Sequence, residues 1–588
     1  MISRYIKYAC FFLLVQFLSR LIILIRHDLF DKLSESLVST YVHGFSLDLA
    51  FVSYLILCML LFDIILPFSW KKIRAIFIGV TTGLQLFLAL VDSELIYSWK
   101  SKFNQDALQF LKFPQEAIAS MGLSKILITL LFCSIVGWLF YKFAKKFLSL
   151  NEFRIKPLVK YLAISCFLGL ALFGARQSLG VAPIGPSKAF YSNNAFNNLA
   201  ALNSNWNFIN QLFLPIDYID LKSFDFAGNT GKSDYFEGDS SEAVQFRFKN
   251  VNCVLIVLES FNAYLSKDFG GLQDHTPFLD SLANNGIGFY NLYASTNRTD
   301  KALACINSGF PGTPWNSILH EPNKAKKLDQ IADGFNKLNY NSSFYYGGDL
   351  SFANMNAYLN GHFNNVYDLE NWPKRDLSKW GVHDEILFEE YFKKPHIEPF
   401  FDEVLTLSSH EPFDVPRDYK LPKGPYQPFY NSVRYTDECL AKFFAQAKTK
   451  DWYKNTIFIL VSDHGRNIGV KGGENDNRIC YKIPLIIFGE PLKGKVERIN
   501  TVKSQNDLAK TISLLWNFKD IDLPFSRNLF ESSGAFYFKN GGWGLLDSTH
   551  SDIDNEYFKT LNKSNNLTNH LKKGAGIQYQ ILEYYKSL

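Results

Sequence analysis

The stretch Val251-Asn252-Cys253-Val254-Leu255-Ile256-Val257-Leu258-Glu259-Ser260-Phe261 decides how the second half of the chain folds. Apart from Asn252 its first eight residues are apolar, with no alternation of polar and apolar positions. That is the pattern of a parallel strand covered by helices on both faces. The run stops at a carboxylate, Glu259. The stretch Asn455-Thr456-Ile457-Phe458-Ile459-Leu460-Val461 repeats the arrangement and stops at Ser462-Asp463-His464-Gly465. Phe401 to Leu407 runs into Ser408-Ser409-His410, and Ser343-Phe344-Tyr345-Tyr346 runs into Gly347-Gly348-Asp349. Short apolar runs separated by amphipathic stretches predict an α/β domain whose mostly parallel sheet lies between helices. Ligands of open parallel sheets bind at the carboxyl ends of the strands, so residues distant in sequence are expected to meet there. Singly, Glu259 could begin a loop, Asp463 could cap a helix and His410 could simply be exposed. That each sits where a strand stops favours one shared site.

Between the first strand and the rest lies Tyr293-Ala294-Ser295-Thr296-Asn297-Arg298-Thr299-Asp300-Lys301-Ala302-Leu303-Ala304-Cys305, a polar turn entering a helical pattern. Thr299 is expected at the N-cap, followed by Asp300 in the dipole-favoured first turn. A helix N-terminus also attracts anions, and a hydroxyl beside a divalent metal is a better nucleophile towards phosphorus. The cluster Trp380-Gly381-Val382-His383-Asp384 offers His383 or Asp384 as further cleft residues. Lys471 to Asn477 reads as a loop at the cleft rim. Lys482 beyond it reads as a solvated lysine.

The first third is different. Apolar runs at about 8–26, 47–67, 73–93, 124–142 and 158–176 each approach the roughly 20 residues that a spanning helix needs. The first lacks a small-residue cleavage site and is read as a retained anchor. Lys and Arg crowd the segment before the first run, the connection at Lys71, Lys72 and Arg74, and the connection from Lys142 to Lys160. Positive connections stay cytoplasmic, so an odd number of spans places everything after residue 176 outside. His43, Asp48, Asp92 and Glu94 lie near span ends and are read as interfacial. The expected organisation is therefore a transmembrane domain over 1–176, an extracytoplasmic linker over 177–245 rich in Asn, Ser and Gly, and a catalytic domain over 246–588.

Composition agrees with a folded, membrane-anchored chain. Of 588 residues, 47% are hydrophobic and 20% charged, which excludes a disordered polymer. A net charge of +5 from 61 basic and 56 acidic residues is too balanced for a nucleic-acid reader. The 8 cysteines show no CxxC spacing and are read as mostly buried, free thiols.

Leu258-Glu259-Ser260-Phe261, Thr276-Pro277-Phe278-Leu279, Arg298-Thr299-Asp300-Lys301, Ser409-His410-Glu411-Pro412-Phe413 and Ser462-Asp463-His464-Gly465, in this order after about five spans, resemble the membrane-bound phosphoglycerol transferases of the lipoteichoic acid synthase type, within the alkaline phosphatase and sulfatase superfamily. The resemblance implies that Glu259, Thr299, Asp463 and His464 hold a divalent metal and that Thr299 is the nucleophile. Oxygen and imidazole ligands suit Mn²⁺, Mg²⁺ or Zn²⁺, with Mn²⁺ expected. His410 is implied at the substrate. The family's Trp and Arg for glycerol phosphate are missing from Ser351-Phe352-Ala353-Asn354-Met355, so Asp349, Arg298 and Lys301 are the alternative substrate contacts. The expected activity is transfer of phosphoglycerol, or a related phospho-alcohol, from a phospholipid donor to a glycan, polymer or lipid acceptor outside a bacterial inner membrane. A sulfatase-like phosphodiesterase or sulfuric ester hydrolase is the enzymatic alternative, although Arg298-Thr299-Asp300 lacks the C/S-x-P-x-R pattern of formylglycine sulfatases. A non-catalytic membrane scaffold of the same fold is the other. No oligomeric state follows from the sequence.

Overall fold

The computed structural model describes residues 2–26, 36–65, 71–99, 102–103, 107, 123–143, 145–146, 157–178, 183–192, 195–213, 233–236, 244, 246–271, 275–313, 317–421, 423–466, 468, 478–539, 542–546, 552–556, 559–560 and 567–588. The chain divides into two compact units, Met1–Ile216 and Asp217–Leu588.

In the first unit every apolar run becomes a helix: α1 (Ile2–Arg26), α2 (Ser36–Ile65), α3 (Lys71–Trp99), α4 (Leu123–Phe143) and α5 (Pro157–Arg176). Helices α1 to α3 are each long and apolar enough to cross a membrane, and α4 and α5 contribute the apolar segments Leu127–Phe143 and Leu162–Arg176. Leu14, Ile64, Leu84, Ile128, Leu131 and Phe173 point outward and are more than half exposed. An apolar exterior of this extent is a surface made for hydrocarbon. The stretch read as a connector is not one element. Residues 195–213 form α6 (Ala195–Ala201) and α7 (Ser204–Phe213), and the boundary between units falls after Ile216. The Asn and Ser residues that suggested a linker are instead buried hydrogen-bonding groups: Asn198, Asn203, Ser204, Asn205 and Asn207 are all below 9% exposed.

Their partners correct the interfacial reading of two acids. Asp48 and Asp92 are buried, whereas His43 is exposed and stacks on Tyr191, and the partly exposed Glu94 pairs with Arg26. Arg20 of α1 grips Asp48 of α2 through both terminal nitrogens, at 2.5 and 2.7 Å. It also donates to the carbonyls of Ala200 and Ala201 at the end of α6, each at 3.1 Å. Asn203 adds a bond to Asp48 at 2.6 Å. Lys102 lies 3.6 Å from Asp92 and donates to Ser204 Oγ and to the Leu202 carbonyl. Gly44 makes room for the first pair, since a Cβ there would stand 2.3 Å from Arg20 Nη2. A charge buried in an apolar bundle persists when paired, and Arg20 with Asp48 joins two helices while Lys102 pairs with Asp92 of α3. Asp48→Ala leaves the Arg20 guanidinium buried without its counter-ion and is expected to cost about 3–5 kcal/mol. Thermal unfolding of the detergent-solubilised protein measures this, with Asp48→Asn expected to lose less.

The second unit is built on β1 (Asn252–Leu258), β2 (Ile287–Tyr293), β3 (Asn341–Tyr346), β4 (Asn365–Tyr367), β5 (Phe400–Leu405), β6 (Thr456–Ser462), β7 (Lys482–Phe488), β8 (Glu497–Ile499) and β9 (Lys503–Ser504). Their order is β4-β3-β5-β1-β6-β7-β2-β8, with β9 beside β2. Strands β4, β3, β5, β1 and β6 are mutually parallel, while β7 runs against both β6 and β2. Two reversals restore direction, so β2 ends at the same edge as β1, β5 and β6. The continuous apolar runs are explained by burial on both sides: Cys253, Leu255 and Val257 enter one hydrophobic cluster and Val254, Ile256 and Leu258 the other. A smaller antiparallel sheet, β10 (Ala535–Lys539), β11 (Gly542–Leu546), β12 (Asp552–Glu556) and β13 (Lys559–Thr560), precedes a final helix at Leu567–Ser587. All eight cysteines are free.

Candidate active site

The register fixes which strand ends meet. Leu258 pairs with Ser462 and Val257 with Leu405, so the residues following β1, β6 and β5 leave the sheet side by side. The exits are stitched together: Asp463 N donates to Leu258 O at 3.1 Å, Thr406 N to Val257 O at 3.0 Å, and Ser409 Oγ to Glu259 O at 2.6 Å. At the β1 exit Ser260 adopts φ 59°, a left-handed conformation costly for a residue with a Cβ. This tight reversal aims the Ser260 amide at Asp463 Oδ1 (2.7 Å) and its hydroxyl at Glu259 Oε1 (2.7 Å). At the β6 exit a Cβ on Gly465 would lie 2.2 Å from the Cys480 carbonyl, so only glycine lets the chain pass.

Glu259, Asp463 and His464 thereby form a cluster whose ligand atoms lie within 4.8 Å of one another. His464 Nε2 is 3.4 Å from Asp463 Oδ2 and 3.8 Å from Glu259 Oε1. His464 Nδ1 is held at 2.9 Å by the Gly465 carbonyl, which turns Nε2 towards the carboxylates. Thr299 completes the group, its hydroxyl donating to Glu259 Oε2 at 3.0 Å and lying 3.4 Å from His464 Nε2.

The capping expectation for Thr299 is corrected here. The helix α9 (Thr299–Ser308), which follows α8 (Pro277–Ala283), starts at Thr299 itself; Arg298 is the cap residue, with extended backbone. No side chain caps this end. The Thr299 hydroxyl therefore faces Glu259 and His464 rather than its own helix.

The electrostatics are those of a site short of positive charge. Burial, with Glu259 nearby, pushes the Asp463 carboxyl up to about 7 despite two backbone amides on Oδ1. Burial also raises Glu259, but the imidazoles of His410 and His464 and the hydroxyls of Ser260 and Thr299 outweigh it and leave that carboxyl below its ordinary value. Burial lowers His464, and the two carboxylates more than restore it. Asp463 Oδ2 is buried with no hydrogen-bond partner. Asp463 Oδ2, Glu259 and His464 Nε2, with the Thr299 hydroxyl beside them, are a donor set suited to a divalent metal of oxygen and nitrogen preference.

His410 enters from the β5 exit, half-buried, its Nδ1 2.9 Å from the Glu411 carbonyl and its ring against Trp380. Asp349 is partly buried after β3 and accepts from its own Ser351 amide. Arg298 is exposed and touches Asp300. Lys301 does not reach the cleft: it is buried, and its ammonium donates to the Thr313 carbonyl at 3.0 Å, because it lies on the inward face of α9. Asp384 is likewise removed, fully buried and accepting from the amides of Leu407 and Ser408 and the Thr436 hydroxyl. Lys482 is partly buried, its ammonium over the Tyr264 ring. Lys471 to Asn477 lies outside the described residues. Sequence reasoning passed over Ser260 and Gln505, whose amide group holds the Ser462 and Asp463 carbonyls at 2.8 and 2.5 Å. Neither carries a compositional signal; only the left-handed turn and the fold reveal them.

Known proteins resemble this chain in sequence and fold. Residues 251–517 match the sulfatase family. Lipoteichoic acid synthase 1 of Bacillus subtilis is 26% identical over 382 residues, 58% of this chain and 58% of that protein. The lipoteichoic acid synthase of Staphylococcus saprophyticus is 29% identical over 255 residues, 40% of this chain and 38% of the other. The matches thus span between 38% and 58% of the length of these curated relatives. Among solved structures, an alkaline phosphatase superfamily protein from Vibrio parahaemolyticus superimposes with a TM-score of 0.50 at 24% identity, over 58% of this chain and 88% of that one. The lipoteichoic acid synthase LtaP from Listeria monocytogenes gives a TM-score of 0.50 at 19% identity, over 61% and 97%. These structural likenesses establish the fold of the second unit, a sulfatase-like α/β domain.

Ser260→Ala removes the hydroxyl that orients Glu259 while sparing every ligand atom. It is expected to weaken Mn²⁺ binding about 10–100-fold, the usual effect of losing a partner behind a ligand. Isothermal titration calorimetry reads the change, and Gly465→Ala is expected to abolish binding.

Proposed function

We propose that the chain is a membrane-anchored, metal-dependent transferase that moves phosphoglycerol from a phospholipid headgroup to an acceptor outside a bacterial inner membrane. The observation that carries this reading is the Thr299 hydroxyl, at the start of a helix, between Glu259 Oε2 and His464 Nε2. Glu259, Thr299, Asp463 and His464 would hold the metal, with Mn²⁺ preferred and Mg²⁺ or Zn²⁺ the alternatives. When bound, such an ion neutralises charge on a phosphoryl oxygen and favours the ionised form of a neighbouring hydroxyl.

The residues then divide the work. Glu259 accepts the hydrogen bond of Thr299 and directs its oxygen into the cleft. Thr299 Oγ bonds to phosphorus as the bond to the diacylglycerol oxygen breaks, and the proton lost by Thr299 ends on that oxygen. Glycerol phosphate is left esterified to Thr299. In the second half the acceptor hydroxyl bonds to phosphorus, its proton goes to the departing Thr299 oxygen, and the enzyme is regenerated. His410, whose Nδ1 is tied to a carbonyl, keeps Nε2 free to contact the phosphate or shuttle a proton. Asp349, which follows β3, and Arg298, which precedes Thr299, would contact the headgroup. The apolar helices support a lipid donor, and the relatives named lipoteichoic acid synthase support glycerol phosphate as the transferred group. The acceptor is a glycan, polymer or lipid.

The test is intact mass of the detergent-purified full chain after incubation with Mn²⁺ and vesicles of phosphatidylglycerol or phosphatidylethanolamine. A glycerol phosphate adduct that needs metal and is absent from Thr299→Ala is the expected result. A phosphoethanolamine adduct would change the donor. Headgroup release without an adduct would favour hydrolysis, and absence of both metal binding and adduct would favour a scaffold.

A further inference from the structure

The segment Trp380-Gly381-Val382-His383-Asp384 supplies no group to the metal cluster, yet it is bound to the loop that carries His410 at both ends. At one end, Asp384 Oδ1 accepts from Leu407 N at 2.7 Å and Ser408 N at 3.2 Å, and Asp384 N donates to Ser408 Oγ at 2.9 Å. At the other end, the Trp380 ring lies 4.5 Å from the His410 ring, centroid to centroid, inclined at 59°. Its indole N–H donates to the Glu411 carbonyl at 2.6 Å. His410 Nδ1 bonds to the same carbonyl at 2.9 Å, so one oxygen with two lone pairs holds both rings. Phe352 meets Trp380 edge-on at 5.1 Å and 75°. The segment itself is fastened to the β3 exit, where Val382 N donates to Gly347 O at 3.0 Å and Gly348 bridges Gly381.

These contacts determine which histidine nitrogen is available. An imidazole whose Nδ1–H is spent on a backbone carbonyl presents Nε2 as its free atom. A ring packed on one face cannot swing to present the other. Without Trp380 the His410 side chain, on a loop and half-exposed, would sample several rotamers, and a reacting group displaced by about 1 Å can lose a hundredfold in rate.

We infer that Trp380 is the positioning residue of this site, clamping His410 so that Nε2 faces the cleft. This rests on the role given to His410 above; the clamp itself is also testable without turnover. The rate experiment uses the full chain reconstituted with phosphatidylglycerol and Mn²⁺. Trp380→Ala is expected to lower kcat between about tenfold and a hundredfold with KM for the lipid unchanged. Trp380→Phe keeps a ring on His410 and is expected to recover much of that loss. In His410→Gln, adding Trp380→Ala is expected to change the rate by no more than about twofold, since residues acting through one another are not additive. Independent, multiplied losses, or a rise in KM alone, would overturn the inference.

The second experiment measures carbethoxylation of His410 by diethylpyrocarbonate, using peptide mass spectrometry on the detergent-solubilised full chain. Trp380→Ala is expected to speed modification of His410 several-fold, while His396, whose side chain is 7% exposed and whose ring nitrogens are bonded to Asp402 and the Tyr391 carbonyl, stays protected and reports an intact fold. Equal His410 rates in Trp380→Ala and the parent chain would sink the clamp even where turnover is normal. Absence of lipid turnover in the parent chain would instead count against the transferase reading, and the labelling rates would still decide the clamp.

Discussion

Two carboxylates and an imidazole are forced together at the end of a sheet, both carboxylates buried. Asp463 Oδ2 has no hydrogen-bond partner, and His464 Nε2 stands between it and Glu259. Protein alone can satisfy this group only by giving up charge, which is the direction in which burial moves Asp463. A divalent cation removes the conflict without protonation. The surroundings serve to keep the carboxylates in place: the left-handed Ser260, the glycine after His464, the Gln505 amide, and three exits stitched by backbone bonds. Strained backbone here is consistent with a site that is held and not relaxed.

Much of this was legible in the sequence because parallel strands buried on both faces have a strong signature. The runs ending at Glu259, Asp463, His410 and Asp349 are strands that end there, and the first three leave neighbouring strands. The pattern does not report strand direction, so the reversal at β7, which brings β2 and Thr299 to the same edge, had to come from the structure. Nor does composition tell where a side chain points. Thr299 reads as a cap, yet its hydroxyl turns away from the helix; Lys301 reads as a phosphate contact, yet it lies on the buried side of α9.

The same limit applies in the apolar unit. Asp48, Asp92 and the asparagines near residue 203 suggest an interface and a linker when each is judged by its neighbours in sequence. Their partners are more than a hundred residues away in some cases, as with Asn203 and Asp48. Long-range pairing of buried charge leaves no local trace, and only the packed structure exposes it. The Trp380–Asp384 segment is a milder instance: its histidine and aspartate suggest cleft residues, but its contacts serve the His410 loop.

The most direct measurement is an anomalous difference map, recorded at the manganese edge, from crystals of the Thr299→Ala protein grown with Mn²⁺. Alanine preserves the carboxylates and His464 while preventing turnover. The account expects one dominant peak bounded by Glu259, Asp463 and His464 on the side of residue 299. A map with no peak there, or with Asp463 Oδ2 satisfied by another protein group, would contradict it.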